Sequence, residues 1–219
     1  MIIQSIKLTV DTLIFTIMNG KLQILLIKRL IPPFENMWAL PGGFIKDNEN
    51  AIQAAKRELV EETNVKNEYL EQLYTFSSVD RDPRGRVVTI AYLALVNANN
   101  ITLKAGSDAK EVKFFPIDKL PKLAFDHKEI VKYGIERLKY KLEYTNIAQY
   151  LLADKFIFSD LQEVYEIVFM QKFDPRNFRK KIEKIDIIQE TGEMQIGVKH
   201  RPGKLFEFKN KKLEFVEII

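Results

Sequence analysis

Three glutamates, Glu58, Glu61 and Glu62, crowd into one and a half turns of the segment "PGGFIKDNENAIQAAKRELVEETNV" (Pro41 to Val65). Like charges three and four residues apart repel on a helix, and three carboxylates this close do not stay ionised together without a compensating charge. A divalent cation supplies it. Hard oxygen ligands suit Mg²⁺ or Mn²⁺, and Mg²⁺ is commonly held by a few carboxylates together with substrate phosphate oxygens. Arg57 stands one turn before Glu61 and can pair with and orient it. Gly42-Gly43, ahead of the helix, lets backbone approach a metal or phosphate closely. A second chemical feature is the loop "DRDPRGR", with Arg81, Arg84 and Arg86 in one turn. Guanidiniums fit phosphate in bidentate fashion, and Pro83 and Gly85 tighten the loop. A solvated hairpin tip is the alternative reading of the same residues.

These groups must be positioned by a mixed set of elements. Thr12 to Met18 alternates in strand fashion, Asn19-Gly20 is a type I′ hairpin signal, and Leu22 to Ile27 returns. Asn48 to Thr63 has helical spacing, with Ile52, Ala55 and Leu59 on one face and the glutamates opposite it. Leu73 to Val79 and Val87 to Leu95 read as strands on either side of the arginine loop. A Pro-punctuated connector, Phe114 to His127, leads to a helix from an Asp126 cap to Tyr144 carrying Ile130, Tyr133, Ile135 and Leu138. Beyond Tyr144 the pattern changes. Ser159 and Gln162 sit in capping-box spacing, and Asp174-Pro175 opens another helix as cap and first residue. Two β-like runs follow, Ile185 to Glu190 and Leu205 to Phe208. Helices followed by a β-hairpin with a basic tip give the order of a winged helix-turn-helix, and residues 1–144 and 145–219 are expected as two domains.

Charge is concentrated on two of these late elements. Lys172 to Lys184 holds six basic residues against two acidic ones, and Lys199 to Lys212 six against one, so the positive charge sits where a winged helix meets DNA: the second helix of the turn pair and the wing. Phe178, Ile182 and Ile185 form the buried stripe of that helix. Arg176, Arg179, Lys180 and Lys184 supply phosphate affinity, Asn177 is a candidate for reading base edges, and His200, Arg201 and Lys204 are candidates on the wing.

Composition excludes other classes. The 219 residues include no cysteine, which removes disulfides and thiolate metal sites and fits a reducing compartment. No apolar run approaches membrane-spanning length and the N-terminus lacks a signal-peptide pattern; a soluble cytoplasmic protein without membrane contact is expected. Net charge is +4, too small to name a partner without its distribution.

The spacing from Gly43 through Glu49, Arg57-Glu58-Leu59 and Glu61-Glu62 to Asn64-Val65 resembles the Nudix box, with Asn64 where that family has glycine; "WALPGGF" is also similar to the family. Asparagine tolerates left-handed backbone next best after glycine. The resemblance implies an α+β fold, an α/β/α sandwich with a mixed sheet, in which Gly43, Glu58, Glu61 and Glu62 hold Mg²⁺ or Mn²⁺, with Glu49 nearby. It implies cleavage of a diphosphate by a metal-activated water, helped in many members by a glutamate outside the box, for which Glu111 is one candidate. The stretch "YTFSSVDRDPRGRVVTIAYLAL" is similar to the ADP-ribose-handling branch, implying an ADP-ribose-like ligand. Tyr74 and Phe76 could then stack a base or serve the core. "FIFSDLQEVYEIVF", "RNFRKKIEKI" and "HRPGKLFEF" look like the C-terminal domain of Nudix-type transcriptional regulators, which implies double-stranded DNA as partner and a homodimer. His127 and His200 are read as structural residues or DNA contacts. Two functions are consistent with these features: a regulator whose Nudix domain senses a nucleotide sugar, with or without hydrolysing it, or a Mg-dependent diphosphatase with an accessory module.

Overall fold

The computed structural model describes residues 5–63, 69–101, 109–198, 201–216 and 218. They form two compact units. The first comprises residues 1–16, 22–96 and 100–134; the second comprises 135–219 with the short segments 17–21 and 97–99. The division falls inside a helix, between Gly134 and Ile135. Among the described residues no helix is long and apolar enough to cross a membrane.

The first unit is built on a seven-stranded mixed sheet. Its strands are β1 (Lys7–Met18), β2 (Lys21–Arg29), β3 (Trp38–Ala39), β4 (Gly42–Phe44), β5 (Tyr69–Phe76), β6 (Val87–Leu95) and β7 (Ala109–Pro116). The order is β3-β2-β1-β6-β5, with β4 added to β1 and β7 to β2. β1 pairs parallel with β6 and antiparallel with β4. Asn19 and Gly20 both have positive φ, 53° and 67°, as the I′ hairpin between β1 and β2 requires. β1 and β2 are near-continuous apolar runs because both faces are covered: Val10, Leu13, Ile14, Phe15, Ile24, Leu25 and Leu26 are all buried.

Helix α1 (Ala51–Thr63) carries the glutamates. Its buried residues are Ala54, Ala55, Leu59, Glu62 and Thr63, whereas Ile52 is exposed. The expected division into an apolar face and a purely acidic face is therefore corrected: Glu62 lies one turn beyond Leu59 on the buried side, and Glu61 points outward. Leu59 packs with Ile14, Leu25 and Ala94, and Ala54 and Ala55 pack on Val10 and Tyr92, so α1 lies on the sheet that holds β4. Asn64, whose helix-ending role the sequence raised, lies outside the described residues. β5 ends at Phe76, short of the expected Val79, which is exposed. Helix α2 (His127–Tyr144) buries Ile130, Val131 and Leu138 but exposes Tyr133.

The second unit contains a 3-10 turn (Ile147–Leu151), β8 (Phe156–Ile157), α3 (Phe158–Phe169), α4 (Pro175–Ile185), β9 (Ile188–Met194) and β10 (Lys204–Phe208). The last three strands form a sheet ordered β8-β10-β9. Ser159 is not the cap of α3: the helix begins one residue earlier, and the Asp160 carboxylate accepts from the Ile157 backbone N–H at 3.2 Å. Asp174 does cap α4, accepting from the Asn177 N–H at 2.9 Å, with Pro175 as first helical residue. The core of this unit is aromatic. Phe158, Tyr165 and Phe206 are buried, Phe178 meets both Phe158 and Tyr165 edge-on, and Phe206 meets Phe158.

Candidate functional site

A cavity of about 220 Å³ opens in the first unit where β1, β2 and β4 meet α1, the arginine loop and the start of α2. Its lining includes Asp11, Arg29, Gly42, Gly43, Phe44, Glu58, Glu62, Arg81, Asp82, Arg84, Phe125 and His127. The register of β4 on β1, with Val10 opposite Gly43 and Asp11 opposite Gly42, places the glycine pair under the glutamate helix. A Cβ on Gly43 would lie 2.6 Å from Glu58 Cδ, so only glycine admits that carboxylate. The Gly42 N–H donates to Glu62 Oε2 at 2.7 Å, which gives the buried Glu62 a backbone partner.

Arg57 organises the other carboxylates. Its guanidinium donates to both Glu49 oxygens (2.9 and 2.5 Å), to Glu58 Oε1 (2.6 Å), to Glu61 Oε2 (3.0 Å) and to the Phe44 carbonyl (3.2 Å). The Glu49 hydrogen bonds chiefly raise the Arg57 pKa further. Reciprocally, the Arg57 hydrogen bond holds the Glu49 carboxyl down to about 2. Glu58 behaves differently: burial pushes its pKa up, against the pull of Arg57. The cluster thus separates into Glu58 and Glu62, which line the cavity, and Glu61, which is turned to Arg57 and about half exposed. Among the described residues no three His, Asp or Glu side chains converge as a ligand set for a metal.

The three arginines of the loop have three fates. Arg81 is buried, its guanidinium held by both Asp126 oxygens at 2.9 and 2.8 Å and by Asp11 Oδ2 at 3.3 Å. This uses the Asp126 carboxylate, so Asp126 grips the loop rather than capping α2 with its side chain. Arg84 folds back on Asp82, donating from Nε at 3.0 Å and Nη2 at 2.6 Å. Those hydrogen bonds hold the Asp82 pKa down although burial pushes it up. The Arg84 guanidinium lies 4.9 Å from the Phe44 ring centre and 5.4 Å from that of Phe125. Arg86 donates to the Ser77 and Ser78 carbonyls and lies outside the cavity.

Three further candidates also lie elsewhere. Glu111 is exposed on β7, opposite Lys28. Tyr74 and Phe76 pack with Tyr133 rather than on the cavity. The aromatic rings at the cavity are instead Phe44 and Phe125, with Phe34 edge-on to Phe125 at 4.8 Å.

His127, buried at the cavity floor, accepts from the Leu40 N–H at Nδ1 (2.9 Å), and its Nε2 is 3.4 Å from Asp11 Oδ1. An Nδ1 that accepts leaves the proton on Nε2, and burial lowers the His127 pKa, so the imidazole is neutral. Sequence reasoning missed Asp11, Arg29, Phe44, Asp82 and Phe125. Asp11 had a legible signal: it is a carboxylate inside the apolar run "LTVDTLIF", where a charge needs a buried partner. The others are brought together only by the fold.

On the second unit, Arg176, Asn177, Lys180, Lys181 and Lys184 are exposed around α4, while Phe178 and Ile182 are buried. Arg179 is less available than its neighbours. It pairs with Glu183 at 2.9 Å and lies 4.6 Å from the Phe158 ring centre. On the wing, Lys204 is bound to both Glu190 oxygens at 2.9 Å, the Gln195 N–H closes on the Gly203 carbonyl at 2.8 Å, and Arg201 is exposed. His200 lies outside the described residues.

Comparison with known proteins agrees with this division. Residues 7–134 match the NUDIX domain, and residues 148–208 match the NrtR DNA-binding winged helix domain. The chain is 35% identical to an ADPR responsive transcriptional repressor, NtrR, of Acinetobacter baylyi, over 95% of this chain and 84% of that protein. It superposes on Shewanella oneidensis NrtR complexed with a 27mer DNA with a TM-score of 0.82 and 34% identity, covering 92% and 93% of the two chains. The NUDIX domain of the same Shewanella protein complexed with ADP ribose aligns with a TM-score of 0.58 and 37% identity, covering 62% of this chain and 90% of that one. The chain belongs to the NrtR family of NUDIX-type transcriptional regulators.

Proposed function

We propose that the protein is a DNA-binding transcriptional regulator whose NUDIX cavity binds ADP-ribose or a closely related nucleotide sugar. The observation that carries this reading is the coexistence in one chain of a cavity lined by arginines and carboxylates and a winged helix whose second helix is basic and exposed. The relatives support it, since one is named for its response to ADP-ribose and another was crystallised with DNA. Ligand binding alters DNA affinity by favouring one arrangement of the protein over another. The working form is a homodimer on two half-sites.

The cavity lining carries four carboxylates, Asp11, Glu58, Glu62 and Asp82, against three guanidiniums, Arg29, Arg81 and Arg84, so a diphosphate enters a site of formal charge −1. That balance favours a divalent cation accompanying the ligand. Glu58 and Glu62 fit the role: both carboxylates line the cavity, and Mg²⁺ is commonly bound through one or two carboxylates plus phosphate oxygens. Such a cation would neutralise the diphosphate and polarise its oxygens. A second reading, Mg-dependent hydrolysis of the same ligand, is favoured by the retention of two box glutamates, Glu58 and Glu62, in the cavity lining.

On α4, Lys180 would contact DNA phosphate, whereas Arg179 is held against Phe158 and Glu183. Fluorescence anisotropy with a duplex from the protein's own promoter region tests the DNA half. Lys180→Ala lowers the salt dependence by about one phosphate contact. An unchanged slope in Lys180→Ala and in Lys184→Ala would remove α4 as the DNA-contacting helix.

A further inference from the structure

Three guanidiniums line the cavity, and two are already neutralised by the fold. Arg81 has Asp126 and Asp11, and Arg84 has Asp82. Arg29, the last residue of β2, differs. Its Nε donates to the Pro33 carbonyl at 2.8 Å and its Nη2 to the Ile31 carbonyl at 3.3 Å, so its orientation is fixed by backbone that carries no formal charge. Among the described residues, no carboxylate lies within ion-pair distance of it. Its guanidinium sits 5.0 Å from the Phe125 ring centre, the ring that also receives Arg84. Phe125 holds left-handed backbone, with φ of 52°, uncommon for a bulky residue and found where neighbouring structure enforces it.

A half-buried cation with no carboxylate in direct contact is less well stabilised than a paired one. Burial, and after it the charge of Arg84, lowers the Arg29 pKa against the opposing charges of Glu62, Asp82 and Asp11. The fold thus retains, at the cavity wall, one oriented guanidinium that, among the described residues, no carboxylate engages in a direct ion pair, beside a second guanidinium.

We propose that Arg29 is the specificity-determining anion contact of the NUDIX cavity, reading the diphosphate of the bound nucleotide sugar. This deepens the ADP-ribose reading and rests on it. Arg81 then holds the floor, Arg84 closes with Asp82 and the two phenylalanines, and Arg29 is the arginine whose charge is left for the ligand. Phe125 aims it. A ligand with two linked phosphates gains most from such a contact, and a nucleoside monophosphate or a neutral sugar gains less.

Calorimetric titration of ADP-ribose and of AMP, each with Mg²⁺, into the full chain and its Arg29→Gln, Arg29→Lys and Arg86→Gln variants tests the assignment. A charge-assisted hydrogen bond corresponds to about tenfold or more in affinity. Arg29→Gln is expected to lose about that factor for ADP-ribose, to lose less for AMP, and to flatten the dependence of ADP-ribose affinity on ionic strength. Arg29→Lys keeps the ionic-strength dependence, because it keeps the charge, while losing affinity with the planar fork. Arg86→Gln, altered outside the cavity, binds as the wild type does. A residue that only held the loop would change the melting temperature without changing the ADP-ribose to AMP ratio or the salt slope. Equal ADP-ribose affinity in wild type and Arg29→Gln overturns the assignment while leaving the ligand reading intact. A wild-type protein that binds no ADP-ribose overturns both.

Discussion

Arg81 offers the sharpest test of which charged groups in the cavity serve the fold and which face the ligand. Its side chain is 3% exposed and is clamped by Asp126 through two hydrogen bonds and by Asp11 through a third. Removing one member of a buried ion pair leaves an uncompensated charge and costs about 3–5 kcal/mol. Asp126→Leu leaves Arg81 with Asp11 alone, and Arg81→Met leaves two nearby carboxylates without their cation. At about 2–4 °C per kcal/mol for a chain of this size, each single change should lower the melting temperature by about 6–20 °C. The double variant Arg81→Met/Asp126→Leu removes both charges and should recover part of the loss, since replacing a buried pair by apolar groups is often near neutral. Urea denaturation of the four proteins gives the coupling energy, expected at about 2 kcal/mol or more. A cycle that closes within about 0.5 kcal/mol would show the two residues to be independent. So would a stable Arg81→Met protein that has lost ADP-ribose affinity, because Arg81 would then belong to the ligand.

Other consequences follow from the glutamate side. Gly43→Ala places a Cβ 2.6 Å from Glu58 Cδ, so that carboxylate must leave its position; the Mg²⁺-dependent gain in ADP-ribose affinity should fall about tenfold or more, with little change in fold by circular dichroism. Glu49 has its carboxyl depressed from 4.5 to about 2 by Arg57. A depressed folded-state pKa adds stability above the unfolded value that disappears as pH falls through the folded one. The urea midpoint of the wild type should therefore exceed that of Glu49→Gln at pH 6, and the two should converge between pH 4.5 and about 2; a gap that persists at pH 2 contradicts the Arg57–Glu49 pairing as its source.

Much of the fold could be read from periodicity and turn chemistry. Asn19-Gly20 marked the first hairpin, Asp174-Pro175 marked the start of α4, and the basic residues of α4 proved exposed while Phe178 and Ile182 proved buried. The misreadings have physical causes. Ile52 lies near the start of α1, beyond the reach of the sheet, while Glu62 lies one turn past Leu59 and is accepted inside because the Gly42 N–H meets it. Ser159 falls inside the first turn because α3 starts from Ile157, whose N–H the Asp160 carboxylate three residues on accepts. The arginine loop was legible as a cluster, but its division into a buried clamp, a folded-back side chain and an outward one depends on Asp126, Asp82 and the Ser77 carbonyl. Only Asp82 of these carboxylates is adjacent in sequence. Arg29 and Phe125 are 96 positions apart, and nothing local announces that they touch.

The central claim is that a nucleotide-sugar cavity and a DNA-binding helix in one chain bias the same equilibrium, and reciprocity gives it the most direct test. The affinity for promoter duplex measured with and without saturating ADP-ribose and Mg²⁺ yields one coupling factor, and the affinity for ADP-ribose measured with and without duplex yields another. Linkage requires the two to be equal, and coupling of this kind is typically about 5- to 150-fold. Two matching factors of that size are predicted; binding of both ligands with a factor of one in each direction would contradict the account.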